Sequence, residues 1–152
     1  MQRIIFVCSG NICRSPLAAG MAKAKLEVAQ VPSVVISAGT LNINGQSAAP
    51  NAIEAGKLVG IDITAHRSQG VSLPLMAMAD HIVVMAPRHE NALVDLDPNL
   101  EEKIVRMWAY GEHPEKLDQI VDPVGQDLEA FVQCRKRLDL CLDAWILTLP
   151  VG

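Results

Sequence analysis

The stretch Val7-Cys8-Ser9-Gly10-Asn11-Ile12-Cys13-Arg14-Ser15-Pro16 gathers a thiol, a guanidinium and permissive backbone into one short turn. These residue types suit one piece of chemistry, the holding of an anion against a nucleophile. Gly10 and Asn11 are the residues that most readily take positive φ. Turns built on them aim successive backbone N–H groups inward as an anion nest. Arg14 offers two parallel donors to a phosphate edge. Cysteines at helix N-termini near cations ionise at roughly 3.5–7.5 rather than ~8.5, so Cys8 is expected as a thiolate ready for covalent catalysis. Read only as the end of a buried strand, Cys8 would leave the glycine and the arginine without a purpose.

The elements that must position this turn are visible on either side of it. Ile4-Ile5-Phe6-Val7 is an unbroken apolar run, which predicts a parallel strand covered on both faces. Behind the turn, Leu17, Met21, Ala24 and Val28 recur at helical spacing. Ser15 is expected as the N-cap of that helix and Pro16 as its first residue. Further strands are predicted at residues 34–37, 81–85 and 103–108, and further helices at 50–59, about 88–94 and from Gln126 onward. On the last helix Leu128, Phe131, Arg135, Leu138, Leu142 and Trp145 form the apolar stripe, with Arg135 its one polar member. Alternating strands and helices predict an α/β chain, a single domain over residues 1–152. Its architecture is expected to be three layers, a four-stranded parallel sheet flanked by helices. In open α/β sheets the ligand sits outside the carboxyl ends of the strands, where this turn lies.

Composition sets the outer bounds. Half of the 152 residues are hydrophobic and 20% are charged, as in a globular chain with a full-sized core. A net charge of -4 excludes a general nucleic-acid binder, which needs a basic stripe to neutralise phosphates, but leaves room for one local anion site. No apolar run approaches the roughly 18 residues that span a bilayer, and residues 4–7 are too short for a secretory signal core. A cytoplasmic protein with reduced thiols is therefore expected. Cys134 and Cys141, among the apolar residues of the last helix, read as core.

The stretch FVCSGNICRSP resembles the phosphate-binding loop of the low-molecular-weight protein tyrosine phosphatases. The likeness runs on through SAGT at Ser37 to Thr40, AHRS at Ala65 to Ser68, ADHIVVM at Ala79 to Met85 and Asp122-Pro123. It implies a two-step reaction without metal or cofactor. Cys8 attacks phosphorus while Asp122 protonates the departing oxygen, and water activated by Asp122 then hydrolyses the cysteinyl-phosphate. By the same resemblance Arg14 and the loop residues Ser9, Gly10, Asn11, Ile12, Cys13 and Ser15 hold the phosphoryl group. Asn11 is expected to fix the strained loop, Ser15 to hydrogen-bond the Cys8 sulfur, and Ser37 and His66 to complete the supporting network. The implied substrate is a phosphotyrosine-containing protein, with a tyrosine kinase as a partner and inorganic phosphate as product.

The chain departs from the family at the pocket walls. Val124 follows Asp122-Pro123 where an aromatic residue is common, and the loop at 41–48 has no Trp or Tyr. Each lost aromatic contact should weaken ring binding by about 0.5–1.5 kcal/mol. Ile12 stands where the arginine phosphatases of this scaffold resemble the motif but carry Thr, which favours an aryl ester. Thioredoxin-coupled arsenate reductases share the loop yet need a cysteine pair past the third strand, and APRHENALVDLDPN contains none. A non-catalytic phosphate-binding module is signalled by loss of Cys8, Arg14 or Asp122, and all three are present. Cys13 has two readings: a residue that fills space, or, by resemblance, the partner of Cys8 in a protective reversible disulfide.

Overall fold

An unbroken apolar run cannot turn one face to water, and Gln2–Cys8 accordingly forms the central strand β1, buried from Ile4 to Cys8. The computed structural model describes residues 1–112 and 118–150. After β1 come helix α1 (Arg14–Val28), strand β2 (Ser33–Gly39), helices α2 (Pro50–Lys57) and α3 (Leu73–Ala77), and strand β3 (His81–Val84). Helix α4 (Pro87–Leu96), a 3-10 turn at Pro98–Lys103, strand β4 (Ile104–Arg106), a second 3-10 turn at Met107–Ala109 and helix α5 (Leu128–Ile146) complete the chain. The four strands form one parallel sheet in the order β2-β1-β3-β4. That is the expected architecture.

Alternation along β1 sends its side chains into two separate cores. Ile4, Phe6 and Cys8 join the core under α1, α2 and α5. Ile5 and Val7 join Met76, Leu93 and Leu100 on the other face. Arg135, the polar member of the α5 stripe, is buried and donates to the Ala55 carbonyl at 2.8 Å. This satisfies one of the last-turn carbonyls of α2, which have no partner within the helix. Among the described residues no helix is long and apolar enough to cross a membrane.

Several local expectations are refined or corrected. Helix α1 starts at Arg14, not after Ser15, and its N-cap residue Cys13 makes no side-chain capping bond. The Ser15 hydroxyl is engaged by the loop instead, and Pro16 still fits because first-turn N–H groups need no helical acceptor. Val28 is exposed at the end of α1, and Leu26 is the residue buried in its last turns. Helix α5 begins at Leu128, near the expected Gln126, where the Asp127 carboxylate caps it by accepting from the Ala130 N–H at 3.1 Å. The short helix α3, capped by Ser72, was not expected from the sequence. Strand β4 covers only Ile104–Arg106 before the chain tightens into a 3-10 turn.

Candidate active site

The ends of β1 and β2 lie side by side, with Cys8 in register with Gly39. Beyond Cys8 the chain curls through residues 9–13 into α1. A Cβ on Gly39 would lie 2.6 Å from the Ser9 carbonyl oxygen and 3.0 Å from the Asn11 nitrogen. Only glycine lets the second strand pass that close beneath the loop. The Thr40 and Leu41 N–H groups donate to the Cys8 and Ser9 carbonyls at 3.0 Å each, so loop and strand are stitched together.

Asn11 holds the turn. It is fully buried with φ at 58°, the left-handed region that asparagine tolerates better than most side chains. Its Nδ2 donates to Ser15 Oγ at 2.8 Å and to Ser37 Oγ at 2.9 Å, while its Oδ1 accepts from the Gln69 N–H at 3.0 Å. His66 Nε2 lies 2.6 Å from the Asn11 carbonyl and must donate to it. Burial lowers the His66 pKa, and the positive charges of Arg67 and Lys23 act in the same direction; the bond to Asn11 opposes them. A neutral ring protonated at Nε2 satisfies both facts.

This network assigns a direction to the contact at the sulfur. Ser15 Oγ lies 2.9 Å from Cys8 Sγ and already accepts from Asn11. Its own proton is therefore free to point at the sulfur. Replacing Asn11 with alanine should strain the backbone and orphan several buried groups, destabilising the fold by about 3 kcal/mol. Asn11→Gly, which relieves the positive φ but not the lost bonds, should recover about 1 kcal/mol of that. Urea denaturation of the two variants checks this; wild-type stability in Asn11→Ala would mean that the network carries no such weight.

On the opposite wall Arg14, 1% exposed, reaches across to the segment from Ile120 to Asp122. Its Nη1 donates to the Ile120 carbonyl at 2.8 Å and its Nη2 lies 3.5 Å from Asp122 Oδ2. The Ile120 N–H in turn donates to the carbonyl of Met85, the residue just past β3, at 2.7 Å. Asp122 Oδ1 accepts from the Val124 N–H at 3.1 Å, and its side chain is 30% exposed. A thiol, a guanidinium and a carboxylate thus converge from β1, α1 and a distant loop at the carboxyl end of the sheet. Among the described residues no group of three or more His, Cys, Asp or Glu side chains is placed to hold a metal ion.

Residues 3–150 match the model of the low molecular weight phosphotyrosine protein phosphatase family. The chain belongs to that family. Its relatives include a probable low molecular weight protein-tyrosine-phosphatase, EpsP, of Ralstonia nicotianae, 35% identical over 96% of this chain and 94% of that one. A protein-arginine-phosphatase of Geobacillus stearothermophilus is 32% identical over 93% and 91%. An arsenate reductase of Staphylococcus aureus is 30% identical over 96% and 97%. In three dimensions the chain superposes with a TM-score of 0.89, at 28% identity and covering 97% and 95%, on the YwlE arginine phosphatase. That structure is a cysteine-to-serine mutant with a phosphorylated active-site serine.

Other features of the phosphatase loop were not foreseen from the sequence. His89, fully buried in the first turn of α4, places its Nε2 2.9 Å from Ser9 Oγ. Burial, reinforced by the charges of Arg14 and Arg88, pushes its pKa down to about 3. The ring is therefore neutral, and its Nδ1 has no partner among the described residues. A buried acceptor without a partner is less costly than a buried orphan N–H, so we assign the proton to Nε2, donating to Ser9. The Arg88 Nε–H also donates to Ser9 Oγ, at 3.4 Å. The only sequence cue to this pair was its position just past the third strand.

Burial raises the pKa of each of the remaining thiols of the phosphatase. Cys13 is 4% exposed within the main core, and burial, with the charges of Asp122 and Cys8, pushes its pKa up to about 12. Burial likewise pushes Cys134 up to about 12 and raises Cys141. Both lie in the core of α5, as their spacing predicted. At the mouth the expected lack of aromatic rings is met by aliphatic side chains: Ile43 packs near Gly10, and Val121 and Val124 are half exposed.

Proposed function

We propose that the phosphatase hydrolyses phosphotyrosine in protein substrates through a phosphocysteine formed on Cys8. The observation that carries this reading is the convergence of the Cys8 sulfur, the Ser15 hydroxyl, Arg14 and Asp122 around one loop. In the first step the sulfur attacks phosphorus in line, and Asp122 gives a proton to the departing tyrosine oxygen. Arg14 and the loop N–H groups, with Ser9, Gly10, Ile12 and Cys13 as the floor, stabilise the equatorial oxygens. In the second step Asp122, now ionised, takes a proton from water as that water attacks phosphorus. The P–S bond breaks, Ser15 donates to the departing sulfur, and inorganic phosphate leaves. Positioned donors cost no reorganisation at the moment of reaction, which is why the bonds by which Asn11, Ser37 and His66 fix the loop matter.

Support for the covalent step comes also from the relative whose serine variant is phosphorylated at the active site. An aryl ester is favoured over phosphoarginine because Ile12 presents an apolar, half-buried side chain where the arginine enzymes resemble the motif with Thr. A tyrosine kinase carrying its own phosphotyrosine is a fitting substrate of this class. Arsenate reduction needs thiols that can take over an oxidised sulfur. The segment from Ala86 to Asn99 contains none, and Cys134 and Cys141 are buried with raised pKa values.

The test is the pH–rate profile of Asp122→Asn on aryl phosphates. The amide keeps the shape of the carboxylate and its acceptor toward Val124. With a poorly departing phenol, kcat should fall by about 10²–10⁴ and lose its alkaline limb. With a well-departing nitrophenol the loss should be smaller. Equal kcat in variant and wild type on both esters would remove Asp122 from the reaction.

A further inference from the structure

Resting on the phosphotyrosine reading above, we propose that Arg88 forms a second anion subsite at the mouth of the phosphate loop. It would take an acidic side chain flanking the phosphorylated residue of a protein substrate. The first observation is where the cation stands. Arg88 lies in the first turn of α4, whose N-cap Ala86 makes no side-chain capping bond. Helix N-termini disfavour cations, since their exposed N–H groups already carry partial positive charge. A guanidinium held there adds to the positive end of the helix instead of offsetting it.

The second observation is that its charge is unspent. Arg3 pairs with Asp80, Arg106 with Glu90 and Arg14 with Asp122, whereas Arg88 has no carboxylate partner among the described residues. Glu90, the acid nearest to it in sequence, is occupied by two bonds from Arg106, at 2.8 and 3.0 Å. Among the described residues the one hydrogen bond of Arg88 runs from Nε to Ser9 Oγ. Ser9 also receives His89, so the guanidinium is tethered beside the residue that follows the Cys8 sulfur. With Nε engaged and the side chain exposed, Nη1 and Nη2 have no partner among the described residues, and this pair of donors can grip a carboxylate with two parallel bonds.

The third observation concerns competing terms. Ile43, near Gly10, and the half-exposed Val124 after Asp122-Pro123 offer a substrate ring no aromatic partner, so recognition gains from another contact. The chain as a whole carries a net charge of -4, which repels an acidic substrate at long range. At physiological salt that repulsion is screened beyond about 8 Å, and a direct contact at Arg88 is not. Local attraction wins there, which fixes the ionic strength at which to look.

The experiment compares one phosphotyrosine peptide in three forms, with Glu, Gln or Lys on both flanks, at 0.15 M salt (about one Debye length of 8 Å). Wild type should favour the Glu form over the Gln form by about two- to fivefold in kcat/KM, carried by KM. Arg88→Gln should level the two, and Arg88→Glu should turn the preference toward Lys. Arg3→Gln removes the same charge at the far end of β1 and should leave the preference as in wild type. A flat response in wild type, or an acidic preference that survives in Arg88→Gln, would overturn the subsite. Turnover of p-nitrophenyl phosphate by the wild type separates the two levels. With it, a flat response sinks the subsite alone; without it, the phosphatase reading falls as well.

Discussion

Cys8→Ser is expected to lower kcat on p-nitrophenyl phosphate by about 10⁴–10⁶ while leaving the fold intact. The substitution is nearly isosteric at a residue that is 2% exposed, and the serine oxygen can still receive the Ser15 proton. Stability should therefore stay within about 1 kcal/mol of wild type. What is lost is chemical. A hydroxyl in this loop has no neighbouring base to take its proton, because Asp122 serves the leaving group and His66 is spent on the Asn11 carbonyl. The nest and Arg14 remain in place, so inorganic phosphate should bind the variant about as well as the wild type. Calorimetric binding of phosphate, together with kcat, separates the dead nucleophile from a collapsed site. More than a tenth of wild-type turnover in Cys8→Ser would mean that the phosphoryl group never passes through this sulfur.

How much of this was legible in the sequence depends on the range of each contact. The strand Ile4–Val7, the turn after it and the helix behind it are local patterns found close to where the residues pointed, although of the two permissive turn residues only Asn11 takes a positive φ and Gly10 does not. The loop's interior was also legible in outline, since Asn11 and Ser15 meet within one turn. Ser15 was misread as a cap because hydroxyls near helix starts usually bond the helix backbone. Here the sulfur and the asparagine amide are better partners, and no periodicity announces that choice. Val28 failed for a different reason: in the last turns of the helix the residue that meets the core is Leu26, and Val28, two positions on, is turned to solvent.

Long-range contacts escaped altogether. His89 and Arg88 reach Ser9 across some eighty residues of chain. Their meeting depends on β3 lying beside β1 in register, with Phe6 opposite Val83 and Val7 opposite Val84, so that α4 starts next to the loop. The strand order could not be read from spacing, and without it the dipeptide Arg88-His89 is an ordinary helix start. The same sheet geometry brings Asp122 to Arg14. There the resemblance supplied what the residues alone could not, since an isolated Asp-Pro pair usually marks a turn.

Arg14→Lys should cost nearly as much as loss of the nucleophile, about 10³–10⁵ in kcat/KM, although the charge is kept. The reason lies in how the guanidinium is divided. One nitrogen holds the Ile120 carbonyl at 2.8 Å and another faces Asp122 at 3.5 Å, so the planar group fixes the acid's loop while presenting donors to phosphate. An ammonium is a point charge on a flexible stem and cannot serve carbonyl, carboxylate and phosphoryl oxygens at once. Both the affinity for inorganic phosphate and kcat should fall, unlike in Cys8→Ser, where only turnover fails. Because Arg14 and Asp122 touch, their effects should not add: Arg14→Lys combined with Asp122→Asn should lose clearly less than the product of the two single losses. Strict additivity of the two in kcat/KM would mean that Arg14 binds phosphate alone and has no part in placing the acid.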